Sequence, residues 1–108
     1  MVKLPTRIQV GSSTFEVEEY VKEVADAKGH WGKCSWKDAK IYVDTSGNTA
    51  RTTNTLLHEV VHAIAREWGI ELVNPEENER FVECLTNGLL TTLRQNPALV
   101  KVIVAGVK

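Results

Sequence analysis

Cysteine is scarce in this chain: Cys34 and Cys84 are the only two among 108 residues. So sparse a pair suggests no disulfide framework, and a reducing cytoplasm is the simplest expected setting. Charge of one sign is also lacking, with 13 basic against 14 acidic side chains and a net charge of −1. A generic nucleic-acid binder carries a basic excess or stripe, so nucleic acid is not an expected partner. No apolar run approaches the ~20 residues of a membrane-spanning helix, so no membrane is expected either. The opening Met1-Val2-Lys3-Leu4-Pro5 lacks the apolar stretch of a secretory signal. Internal repeats, low-complexity tracts and long linkers are missing too. The expectation is therefore one compact domain over residues 1–108. Its 43% hydrophobic and 25% charged residues are the balance of an ordinary globular domain.

What is present reads as strands followed by helices. Ile8 and Val10 alternate with polar neighbours, as do Phe15 and Val17, on either side of Gly11-Ser12-Ser13. Period-two alternation around a Gly/Ser turn predicts a β-hairpin. Ser13 with Glu16 also fits a capping box, but the hairpin is the better match, with a helix over roughly 19–27 stopped by Gly29. His30 to Trp36 and Ile41-Tyr42-Val43 predict a second hairpin ending at Asp44, followed by a Ser46-Gly47-Asn48 loop. From about Thr52 to Trp68 the spacing turns helical. Leu56, Leu57, Val60, Val61, Ile64 and Ala65 form its apolar stripe, and Gly69 closes it. Asn74-Pro75 opens another helix, with Glu76 and Glu77 at its positive end, and Asn96-Pro97 ends it. The β-branched tail from Leu99 to Val104 reads as a strand or an extended segment. The expected architecture is α+β, a small antiparallel sheet of hairpins packed on two long helices.

The first long helix carries His58-Glu59-Val60-Val61-His62. Two histidines four apart lie one turn above each other, so both imidazoles can reach a single ion. Glu59 is rotated away from that pair yet stays near the ion's open side, where it can take a proton from a zinc-activated water. This is the HExxH pattern. Random placement of the three His and eleven Glu present gives roughly 0.01 occurrences of it. The bland alternative is a helix that merely displays two His and a Glu. Against it, the motif lies among Leu57, Val60, Val61 and Ile64, where unpaired polar groups cost a few kcal/mol to bury.

Catalytic zinc usually takes three protein ligands and a water. His30 and the acidic residues of the next helix, Glu76, Glu77, Glu79 and Glu83, are the available candidates. Glu76 and Glu77 fit better as helix-dipole partners in water. Glu79 and Glu83 lie one turn apart, beside Val82 and Thr86, and both fall within reach of the motif.

The segment Thr55 to Ile64 resembles the active helix of small phage-associated zinc metallopeptidases of the SprT-like and ImmA/IrrE type. Glu79-Arg80-Phe81-Val82-Glu83-Cys84-Leu85-Thr86-Asn87-Gly88-Leu89 is similar to their second helix. His30-Trp31-Gly32-Lys33 and Lys40-Ile41-Tyr42-Val43 resemble their central hairpin. The resemblance implies a zincin-like, gluzincin-type domain with a third ligand on the second helix. Matching the Asn-Gly-Leu ending places that ligand at Glu79, with Glu83 behind it orienting a ligating histidine. One Zn2+ per protein molecule is expected, held by His58, His62 and Glu79.

The expected function is therefore zinc-dependent peptide-bond hydrolysis of a peptide or protein substrate, with Glu59 as general base. Ile41 to Asp44 is the expected sheet edge for an extended substrate. The rival reading is a zinc-stabilised interaction or regulatory module of a phage or mobile element that has lost turnover; retention of Glu59 favours the enzyme. Cys34 and Cys84 read as small hydrophobes rather than metal ligands. Tyr42, Trp31, Trp36 and Trp68 read as packing residues, and Arg51 and Arg80 as solvated surface cations. No oxyanion donor stands out.

Overall fold

The computed structural model of the protein describes residues 3–20, 31–70 and 73–106. Four strands come first, β1 (Arg7–Val10), β2 (Ser13–Tyr20), β3 (Gly32–Ser35) and β4 (Lys40–Asp44). Three helices follow, α1 (Thr49–Glu67), α2 (Pro75–Gln95) and α3 (Pro97–Ala105). The class is α+β, as the sequence predicts, but the sheet is mixed and the described residues form three helices rather than two.

Both hairpins form: β1 pairs antiparallel with β2, and β3 antiparallel with β4. They join through a parallel pairing of β2 with β4, Val17 opposite Ile41, which gives the order β1-β2-β4-β3. Burial explains the choice. Lys40-Ile41-Tyr42-Val43 is the most apolar strand, and in a central position Ile41 and Val43 become completely buried. The polar Gly32-Lys33-Cys34-Ser35 is left on the edge of the sheet that the described residues form. Ile41 to Asp44 is therefore not an edge, contrary to expectation; β3 is. The helix expected from residue 19 is also corrected at its start, because Glu19 and Tyr20 extend β2 opposite Val43 and Asp44. The remainder of that predicted helix, its Gly29 stop and His30 lie outside the described residues.

Helix α1 lies on one face of the sheet. Leu4, Val10, Phe15, Ile41, Val43 and Ala63 form the core, with Leu56, Val60, Cys34 and Trp36 packed against it. Its ends are well specified. The Asn48 side chain accepts a hydrogen bond from the Arg51 N–H at 2.8 Å, and Gly69 follows the helix with φ +69°. A residue with a β-carbon is strained in that left-handed region, so glycine suits the stop. Helix α2 is capped by Asn74, whose Oδ1 accepts from the N–H groups of Glu76 and Glu77 at 2.9 and 3.1 Å. It packs on α1 and fully buries Val82 and Thr86.

The tail expected as a strand is instead α3, opened by Pro97 and packed on α2, with none of its residues buried. A strand needs a neighbour to satisfy its backbone, whereas a helix satisfies its own. Among the described residues no helix is long and apolar enough to cross a membrane.

Candidate metal centre

His58 and His62 project from the same side of α1, their ring centroids 4.9 Å apart and inclined at 63°. Position increases along α1 as it decreases along α2: Asn54 donates to Asn87 at 2.9 Å, while His58 and His62 both meet Glu79. The helices therefore run antiparallel, and the first turns of α2 face the second half of α1. One carboxylate closes the site. Glu79 Oε2 lies 2.7 Å from His58 Nε2, and Glu79 Oε1 lies 2.9 Å from His62 Nε2.

The ligating atoms of His58, His62 and Glu79 all fall within 4.8 Å of one another, and no other such group occurs among the described residues. Two neutral imidazoles and one carboxylate suit a borderline cation such as zinc, and three protein ligands leave a position open. The histidines are half-buried and Glu79 is exposed, so the donor set is open to solvent. Glu83, one turn further along α2, is exposed and is not part of this group. Glu76 and Glu77 stay at the helix start beneath the Asn74 cap.

Glu59 is placed differently from its neighbours. It is buried, 7% exposed, and points toward β3, where Gly32 leaves room for it. A β-carbon at position 32 would stand 2.6 Å from Thr55 Cγ2 and 3.1 Å from Glu59 Cγ. Burial pushes the Glu59 carboxyl up to about 8, and the nearby negative charge of Glu79 adds to the rise. Burial of this kind favours the neutral carboxyl near neutral pH and makes the ionised form, once present, a stronger base.

Glu59, His62 and Glu79 open onto one groove of about 560 Å³, lined also by β3, Trp36 and Arg66. Of the remaining candidates, Cys34 is half-buried and packs on the core, but Cys84 is exposed rather than a buried hydrophobe. Trp31 is 40% and Trp68 60% exposed, and the Arg51 guanidinium lies 3.6 Å over the Trp31 ring. Three features escape sequence reasoning: Gly32 as the gap that admits Glu59, β3 as part of the lining, and Arg66. Only Arg66 carries a signal, since it continues the i, i+4 spacing of His58 and His62. No protein-family model, curated protein or solved structure matches the sequence.

Proposed function

We propose that the protein is a zinc-dependent peptidase. The observation that carries this reading is the Glu79 carboxylate spanning the Nε2 atoms of His58 and His62, beside a buried Glu59 that opens on the same groove. His58, His62 and Glu79 would hold the ion. When bound, zinc supplies Lewis acidity that polarises a carbonyl and acidifies water. The resemblance of the motif helix and second helix to SprT-like and ImmA/IrrE-type metallopeptidases supports the same reading.

Glu59 accepts the proton of the attacking water as the C–O bond forms, and returns it to the amine as the C–N bond breaks. Its burial keeps bulk water from competing for that proton. Strand β3 borders the groove and, among the described residues, pairs with β4 alone, so an extended peptide would add there as a further strand. That pairing would align the substrate past His62 and Glu59.

The test uses zinc-loaded protein and a broad peptide library, with products identified by mass spectrometry. Cleavage is expected from the wild type and is expected to vanish in Glu59→Gln, whose amide cannot accept the proton, while zinc stays at one per molecule. Cleavage that survives in Glu59→Gln overturns the assigned role. Zinc binding without any cleavage by the wild type favours the interaction module over the enzyme.

A further inference from the structure

Arg66 stands one helical turn beyond His62 on α1 and lines the same groove as Glu59, His62 and Glu79. Its guanidinium lies 5.3 Å from the Trp36 ring centroid. Trp36 is itself braced, its ring set edge-on to Phe15 at 5.1 Å and 87°, and Phe15 is core. A cation resting on an aromatic face that is packed in place gives up less freedom when it captures a ligand.

No carboxylate pairs with Arg66 among the described residues. The acidic groups around it are committed elsewhere. Glu79 spans the two histidines, Glu59 is buried against β3, and the adjoining Glu67 accepts hydrogen bonds from Ser12 and Ser13. A guanidinium presents a planar fork of donors that matches a carboxylate. Here that fork is exposed and without an acidic partner among the described residues, on the groove that Glu59, His62 and Glu79 also line.

We infer that Arg66, on its Trp36 platform, is a specificity-determining residue that binds a carboxylate of the peptide lying in the groove. The inference rests on the peptidase reading and names a preference within it. One helical turn is about 5.4 Å and an extended peptide advances ~3.3 Å per residue, so the recognised carboxylate lies about two residues from the reacting bond. An acidic side group and the free C-terminus of a peptide offer the same chemistry.

The experiment measures binding and cleavage separately. Fluorescence anisotropy with zinc-loaded Glu59→Gln protein follows labelled peptides that carry Glu, Gln or Lys at each position in turn, with free or amidated C-termini. Wild-type protein is assayed for cleavage of the same set. Glu at one position is expected to bind about tenfold more tightly than Gln if a side group is read, and a free terminus about tenfold more tightly than an amide if the end is read. Adding Arg66→Glu is expected to abolish either preference and, where a side group is read, to favour Lys at that position. Circular dichroism and zinc content check that the variant is folded and loaded. Absence of both preferences, their survival in the Arg66→Glu protein, or failure of every peptide to bind overturns the inference. The two readings fail separately: Arg66-dependent binding without wild-type cleavage removes the peptidase, whereas charge-blind cleavage removes the role of Arg66.

Discussion

Gly32 lies against Glu59 so closely that a β-carbon at position 32 would stand 3.1 Å from the Glu59 Cγ. The same β-carbon would meet Thr55 Cγ2 at 2.6 Å and the Tyr42 carbonyl oxygen at 3.0 Å. A glycine at the start of the edge strand thus lets α1 approach the sheet and lets the Glu59 carboxyl sit buried. Gly32→Ala forces the helix or the strand to move, because one of these neighbours is backbone. The expected cost is about 1–3 kcal/mol of stability, as for other overpacked sites, read from urea unfolding. Unfolding at the wild-type midpoint would show that the approach is looser than this.

The ligand set is separable from the residue one turn away. Glu79→Ala removes the carboxylate that meets both histidines, so zinc affinity should fall by well over the ~10–100-fold typical of outer partners. The resemblance implies that Glu83 orients a ligating histidine, yet Glu83 makes no hydrogen bond or ion pair among the described residues and is exposed. Glu83→Ala should therefore change affinity by no more than about twofold, in line with ordinary surface substitutions. Zinc competition titrations decide between them. Saturating zinc at 100 times its Kd should raise wild-type stability by about 2.7 kcal/mol and leave Glu79→Ala nearly unmoved. An equal loss in both variants would return Glu83 to the site.

Thr86 is completely buried in α2, and its Oγ1 has no hydrogen-bond partner among the described residues. A buried hydroxyl left unpaired is a standing desolvation cost, and valine has nearly the same shape. Thr86→Val should therefore stabilise the protein by about 1 kcal/mol, within the range of such penalties. Thermal unfolding checks it, and a lower Tm would mean that the hydroxyl has a partner in solution.

These particulars show which parts of the structure the residues declare locally. The stripe from Leu56 to Ala65, closed by Gly69, specifies α1, and a helix there sets His58 beside His62 without further information. Glu79 is reached only through a resemblance, since spacing alone allows Glu83 equally; the antiparallel lie of α2, with Asn54 beside Asn87, selects the earlier turn. Sheet order is not legible, because the preference of β2 for β4 over β3 comes from burying Ile41 and Val43 at long range. The tail misleads for a related reason: Val100, Val102, Ile103 and Val104 favour a strand, but among the described residues they pack on α2 and not on a strand, and β propensity is largely packing against strand neighbours. Arg66 escapes notice because arginine on a helix is ordinarily solvent-facing, and only the Trp36 ring beneath it sets it apart.

At its far end α1 is tied to the first hairpin by Glu67. The Glu67 carboxylate accepts hydrogen bonds from the Ser12 N–H at 3.2 Å, the Ser12 hydroxyl at 2.9 Å and the Ser13 hydroxyl at 3.3 Å. The Ser12 backbone bond, followed by that residue's hydroxyl, holds the Glu67 carboxyl below its ordinary value of 4.5, with Ser13 adding a smaller pull. These bonds favour the ionised form, so the unfolded state binds the proton more readily than the folded one. Stability contributed by the latch is therefore intact above the ordinary value and is lost as pH falls through the depressed one. In chelator, which removes any contribution from zinc, the Tm difference between wild type and Glu67→Gln should be constant well above the ordinary value of 4.5 and shrink as pH falls below it. A difference that holds steady or widens on acidification would show that the neutral amide and the carboxylate grip the turn equally well.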